Sequence, residues 1–297
     1  MSHSSAVSMR FFQPAAELRT YFNAYFLSEV SLPDGETVSD FLMPSWGLMT
    51  FCNGGFRQVK LQSGVKVPSS QFSVTGPFEK AARLTAGSLR QWNLGILPAG
   101  WARFVKAPAC EFSNLVVDGQ ADAFSAFSPL ADTLFAGEPD PDAELARIEN
   151  HLETCLAIPP DRDEARIGAI LDALQDPETA NTADLARRAG IGVRTLQRLC
   201  KRAFGFSPKT LLRRQRFHRS TMLHTIDPSL KWSEAMDGGY HDQAQFVREF
   251  RQFMGMSPNE YALLDRPFAV PLVQQRKNYD SAIERAGSNS GSDRTKG

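Results

Sequence analysis

Between Phe11 and about Val117, apolar residues come in short runs such as Gly47–Cys52 and Gln71–Val74. They are broken by Asn53-Gly54-Gly55, Ser63-Gly64, Gly76-Pro77 and Pro98-Ala99-Gly100. Short apolar runs bounded by turn residues predict strands, and their spacing suits a small sandwich or barrel. Two helical stretches follow, Ala121–Phe135 and Asp142–Leu156. In the second, Leu145, Ile148, Leu152 and Cys155 recur at helical spacing and make a narrow apolar seam. Such a seam serves either to pack the helix on the strands or to pair it with a second copy. Ile158-Pro159-Pro160-Asp161 stops the helix, because proline lacks the N–H and clashes with the preceding turn. From there to about Leu264 the pattern is helical, and from Arg266 to Gly297 it turns polar, as a disordered tail would.

The helical half repeats itself. Arg194–Pro208 and Ala244–Pro258 share apolar, Arg, Gly and Ser-Pro positions at an offset of 50 residues. Each copy ends in Gly, then Ser-Pro, which predicts a left-handed helix end followed by a serine cap with proline in the first turn. Before each copy comes a short helix and a glycine turn: Ala183–Ala189, capped by Thr182, then Gly190; and Lys231–Asp237, then Gly238-Gly239, with Asp242 capping the next helix. Helix, tight turn, helix is the helix-turn-helix layout. The second helix of the first unit turns Leu196, Leu199, Cys200 and Ala203 inward and Arg194, Gln197, Arg198 and Lys201 outward. That of the second turns Phe246, Phe250 and Phe253 inward and Gln243, Ala244, Val247, Arg248 and Arg251 outward. Arg and Gln make bidentate contacts to guanine and adenine edges. Between the units, Pro208–Thr225 predicts a helix about 27 Å long, comparable to one turn of duplex DNA. Its Lys209, Arg213, Arg214 and Arg216 suit phosphates.

Charge strengthens this picture. The 297 residues have formal net charge +0, yet residues 1–177 carry 13 Lys/Arg and 21 Asp/Glu, while residues 178–264 carry 14 and 8. An acidic front joined to a basic back is the footprint of one polyanion-binding module. No stretch reaches the roughly 18 apolar residues of a membrane span, and Met1–Phe12 has no secretory pattern, so no membrane partner and a cytoplasmic location are expected. Cys52, Cys110, Cys155 and Cys200 are isolated, fitting neither a disulfide framework nor a zinc site.

The stretch from about Arg166 to Leu264 resembles the DNA-binding domain of the AraC/XylS family of bacterial transcription regulators. The likeness lies in Leu185–Gly190, Leu196-Gln197-Arg198, Phe204–Pro208, Gly239–Arg251 and Gly255–Pro258. It implies two helix-turn-helix units in adjacent major grooves. The matching base-reading positions are Arg194, Gln197 and Arg198 in the first unit and Gln243, Gln245 and Arg248 in the second. Lys201, Lys209, Arg213, Arg214 and Arg251 are expected on phosphates. Two departures from the family pattern stand out: Gly192 replaces a serine cap, and Asp237 lies close to the DNA side. The N-terminal half resembles the cupin-like effector and dimerisation domains of the same family, through Pro14, Leu18, Tyr21, Tyr25-Phe26 and Leu97–Ala102.

The expected fold is α+β: an N-terminal cupin-like β-barrel or sandwich with trailing helices (1–157), then an all-α domain of two helix-turn-helix units joined by a linker helix (158–265), then a tail (266–297). The expected partners are double-stranded DNA, RNA polymerase, a small-molecule or protein effector, and a second copy in a homodimer. The family resemblance inclines the regulator towards activation. The alternative is a ligand- or protein-binding module whose helical domain holds DNA without sequence preference. A metal cupin enzyme would need converging imidazoles and carboxylates, yet His3 and His151 are the only histidines in the N-terminal half. DNA-repair methyl acceptors that carry this helical domain need clustered cysteines, which are missing. No catalytic residue, metal or cofactor is expected. Trp46, Trp92 and Trp101 either line a ligand pocket or fill core.

Overall fold

A computed structural model describes residues 6–274, Ser69 apart. The strands are β1 (Val7–Phe12), β2 (Phe22–Val30), β3 (Val38–Leu42), β4 (Gly47–Asn53), β5 (Arg57–Lys60), β6 (Lys66–Pro68), β7 (Phe72–Thr75), β8 (Ala82–Ala86), β9 (Leu89–Ile96) and β10 (Val116–Asp118). They form two antiparallel sheets, one ordered β1-β2-β9-β4-β7-β10 and the other β3-β8-β5-β6. Strand alternation sorts the larger sheet into two faces. Met49, Phe51, Phe72, Val74, Trp92 and Leu94 point away from the smaller sheet and belong to the main core. Ser28, Thr50, Ser73, Gln91 and Asn93 share the opposite face, in register across neighbouring strands, and are buried against the smaller sheet.

Helices cover the outward apolar face. They are α1 (Pro98–Phe104), α2 (Ser128–Thr133) and α3 (Pro141–Cys155). The stretch expected as one helix over Ala121–Phe135 is a short 3-10 turn, Asp122–Phe124, followed by α2. The seam of α3 packs on the sheet: Ile148, Leu152 and Cys155 are buried in the main core, with Leu145 against it. Glu144 of α3 accepts hydrogen bonds from Trp92 Nε1 and Arg90. The α3 seam is therefore spent inside one chain, and Trp92 and Trp101 are core residues, buried to 0% and 1% exposure.

Beyond the proline break lie α4 (Glu164–Gln175), α5 (Thr182–Arg188), α6 (Val193–Leu199), α7 (Pro208–Ile226), α8 (Trp232–Ala235), α9 (Gln243–Met254) and α10 (Pro258–Ala262). Asn181, rather than Thr182, caps α5. The 50-residue repeat is visible as geometry. Gly205 and Gly255 adopt φ of 83° and 76°, where a Cβ would be strained, and Ser207 and Ser257 cap α7 and α10. The main core runs without a break from Leu18, in a 3-10 turn before β2, through the sheets to Leu212 on α7, taking in the inward faces of α4, α5 and α6. A separate aromatic cluster of Phe217, Trp232, Tyr240, Phe246, Phe250 and Phe253 holds the second unit.

The tail begins differently from the expectation. Arg266 and Phe268 are buried, Phe268 and Leu272 pack with the residues between the two sheets, and Asp40 accepts hydrogen bonds from the N–H groups of Phe268 and Ala269. Residues 266–274 are themselves mostly apolar (Phe268, Ala269, Val270, Leu272 and Val273), and Phe268 and Leu272 anchor them there. The rest of the expected tail lies outside the described residues.

Candidate nucleic-acid interface

The first interface is built on α6. Leu196 and Leu199 anchor it to the core, and the helical period then leaves Arg194, Gln197, Arg198 and Lys201 exposed. With Thr182 and Lys209 they line a surface depression of about 500 Å³. Lys209 reaches it because Ser207 and Pro208 start α7 there. The second interface is built on α9. Phe246, Phe250 and Phe253 anchor it, leaving Gln243, Ala244, Arg248 and Arg251 exposed. Both faces are basic and polar, and both belong to the second helix of a repeated unit.

Four of the expected contact residues are otherwise engaged. Arg214 is wholly buried: its guanidinium lies 3.8 Å from the Trp46 ring centre and donates to the carbonyl oxygens of Ser45 and Phe78. Burial pulls its pKa down to about 9. It joins the linker helix to the sheet half and is removed from the phosphate-contact set. Arg213 donates to Glu249 at 2.9 Å and to Gln252, which turns it towards α9. Arg216, beside it, lies 3.7 Å from Glu249 and over the Tyr240 ring. These corrections share a cause: α7 is covered on several sides by the units it joins, so only its first turn presents a lysine to solvent. Gln245 is the third position of α9, and its Oε1 accepts from the His241 N–H while its own N–H donates to the Asp242 cap. That is a reciprocal helix-start arrangement, and it occupies the side chain expected on a base.

Arg198 keeps its place on the interface but is paired. Its Nη2 donates to Asp163 at 3.2 Å, while Arg202 makes two 2.7 Å hydrogen bonds to Asp161 and one of 3.3 Å to Asp163. Hydrogen bonds from Arg202 hold the Asp161 carboxyl below the usual range. At Asp163, burial pushes the other way and is outweighed by Arg166 and Arg198. Arg248 has no ion pair among the described residues. Asp237, which lies near this side, is neutralised by Arg219 at 2.5 Å. Cys200 lies beneath α6 with its thiol pushed up to about 12 by burial, as a core residue would be. Among the described residues no His, Cys, Asp and Glu group could hold a metal ion, and no helix is long and apolar enough to cross a membrane.

Residues 185–263 match a family model described as a helix-turn-helix domain. No curated protein matches the chain. Among solved structures, ToxT from Vibrio cholerae O395 bound to (E)-4-(8-methylnaphthalen-1-yl)but-3-enoic acid aligns with 86% of this chain and 98% of its own, at 9% identity and a TM-score of 0.44. ToxT from V. cholerae strain SCE256 with bound unsaturated fatty acid aligns with 86% and 94%, at 12% identity and 0.39. The AraC-like transcriptional activator CuxR aligns with 73% and 88%, at 15% identity and 0.21. Likenesses this distant add nothing to the domain match. The chain carries, in its C-terminal region, a helix-turn-helix domain of the AraC type that its sequence resembles.

Proposed function

We propose that the chain is a sequence-specific, DNA-binding transcription regulator, inclined towards activation, whose residues 1–157 respond to an effector and whose residues 158–265 bind duplex DNA. The observation that carries this reading is the duplication: two second helices, α6 and α9, each anchored by buried apolar residues and each presenting an exposed Arg- and Gln-bearing face. Arg194, Gln197 and Arg198 would read bases from the first unit, Gln243 and Arg248 from the second. Lys201, Lys209 and Arg251 would take phosphates, adding affinity and salt dependence without sequence information. RNA polymerase and a second copy of the chain are proposed partners. The α3 seam is not the surface that would pair the copies, because it is buried within the chain.

The test is selection of bound duplexes from a random pool by the full-length chain, since the core of the first unit is continuous with that of the sheets. Two conserved blocks about one helical turn apart are expected. The pairing of Arg198 and the capping role of Gln245 favour one competing reading, a domain that holds DNA without reading it. Recovery of no motif, with binding that collapses as salt rises, would establish that reading instead.

A further inference from the structure

The offset of 50 residues that relates the two units also pairs their outward positions, and two of the pairs differ in kind. Where α6 carries Arg194 and Gln197, α9 carries Ala244 and Val247. The other two places stay basic: Arg198 and Lys201 on α6 correspond to Arg248 and Arg251 on α9. Side chains three and four positions apart meet on a helix surface, so the four residues of α9 make one patch. Ala244, Arg248 and Arg251 are exposed, and Val247 is half-buried with one side on the aromatic cluster. At these four positions the first face is long and polar. The second is short and apolar in its first two places, with an arginine one turn beyond each.

Chemistry limits what such a patch can read. Alanine and valine side chains carry no donor or acceptor, so neither makes the bidentate contacts that select guanine or adenine. In the major groove, the apolar feature that sets one base apart from the others is the C5 methyl of thymine. A short side chain also lets the helix backbone approach the base edges more closely than Arg or Gln at the same place would. The two arginines supply the positive charge that brings the patch onto DNA.

We propose that Ala244 and Val247 are specificity-determining residues that read the C5 methyl groups of thymines. The DNA block under α9 is then selected in part by methyl contact, whereas the block under α6 is selected by hydrogen bonds from Arg194, Gln197 and Arg198. This inference rests on the DNA-reading function proposed for α9, and it adds the kind of base that the second unit selects.

The test starts from the duplex that the full-length chain selects. Each thymine in it is replaced in turn by deoxyuridine, which lacks only the C5 methyl, and affinities are measured by fluorescence anisotropy. Loss of one contacted methyl should weaken binding about threefold to tenfold. The decisive readout is coupling between protein and base. Val247→Ala should bind more weakly, and its penalty for deoxyuridine at one thymine should shrink towards nothing. Ala244→Ser sets a hydroxyl against a methyl and should shrink the penalty at a neighbouring thymine. That position is exposed and outside the aromatic cluster, so this variant covers the case in which Val247→Ala fails to fold. The penalties that respond should all lie in one block. Three results would overturn the proposal: no thymine sensitive to deoxyuridine, penalties as large in the variants as in the parent, or penalties that shrink alike in both blocks. A motif with any of these removes methyl reading alone. Failure to recover a motif removes base reading by both units, and this proposal with it.

Discussion

The two helix-turn-helix units descend from one sequence pattern and live in different surroundings. In the first, α6 starts at Gly192 with no side-chain cap, its inward residues join the core that begins in the sheets, and Phe204 meets Trp46 edge to face at 5.6 Å. Ser113 Oγ donates to the Gly205 carbonyl, and Asp161 and Asp163 hold Arg202 and Arg198. In the second, α9 starts at the Asp242 cap and folds around its own aromatic cluster. It meets the sheet half where Ala81, Phe41 and Met43 pack on that cluster, where Tyr261 Oη donates to Met43 Sδ, and where Gln62 Nε2 and the Ala81 N–H both donate to the Phe253 carbonyl. Repetition in sequence therefore does not carry equal anchoring. The first unit is an extension of the sheet half's main core, whereas the second has a cluster of its own that borrows Ala81, Phe41 and Met43 from the sheet half.

The largest effects should come from opening each core. Phe204→Ala and Phe250→Ala each remove a fully buried ring and should cost about 3–5 kcal/mol. What they loosen should differ. Hydrogen exchange after Phe204→Ala should accelerate in α6 and also in β4 and β9, whose outward residues share its core. After Phe250→Ala it should accelerate between about Phe217 and Tyr261 and leave the sheets protected. The same set of amides opening in both variants would erase the comparison.

Base reading should separate the units next. Arg248→Ala should cost about 1–3 kcal/mol of affinity for the selected site and relax one base position. Arg198→Ala should cost less, because reaching a base first requires giving up Asp163. Affinities of the two variants on the selected duplex and on single-base variants of it check this, and equal losses would mean that the Asp163 pair places no tax on Arg198.

Much of this was legible in the sequence, and the failures have physical causes. The Gly…Ser-Pro repeats, the caps and the inward faces of α6 and α9 are local signals, and local chemistry decides them. The strands were legible as strands, but an order such as β2-β9-β4-β7 depends on pairing across the chain, which no local pattern encodes. Arg214 looked like a phosphate contact because an arginine on a helix defaults to solvent. Its partners, Trp46 and the carbonyls of Ser45 and Phe78, lie far away in sequence. At Gln245 the second role was legible too: Asp242 followed three residues later by Gln is the pattern of a reciprocal helix start, and it competes with a base-reading role.

Acid should weaken the second unit through His224. Burial lowers its pKa below the ordinary 6.5, with the Trp232 ring tilted against it at 3.9 Å between ring centres, and outweighs the Leu230 carbonyl, 3.2 Å from Nδ1, which favours the charged form. A base whose folded pKa is depressed is protonated first in the unfolded chain, so stability is full above 6.5 and falls as pH drops from there to the folded value. Urea melts at pH 7.5 and 5.5, followed at amides of α8 and α9, should show this loss, and His224→Gln should reduce it. An unchanged pH response in that variant would assign the loss to other groups.

The smallest effect tests the difference in caps. Gly192 has φ −71° and ψ 150°, close to the φ −70° and ψ 153° of the Ser207 cap, and a Cβ there would meet nothing within 4 Å. Gly192→Ser therefore needs no backbone change, and its hydroxyl can accept from the Thr195 N–H at the third position of α6. A side-chain cap in place of glycine is worth a few tenths of a kcal/mol, so the global gain should be about that size. Amide exchange reads it more sharply than melting: Thr195 should slow, and Arg194, one residue earlier on the exposed first turn, should present its guanidinium from a firmer helix end. Asp242→Gly makes the reverse change in α9 and should speed exchange at Gln245, whose N–H the Asp242 side chain now accepts. Opposite shifts at Thr195 and Gln245 would show that the caps contribute to the unequal anchoring. Unchanged exchange at Thr195 in Gly192→Ser would assign that inequality to the two cores alone.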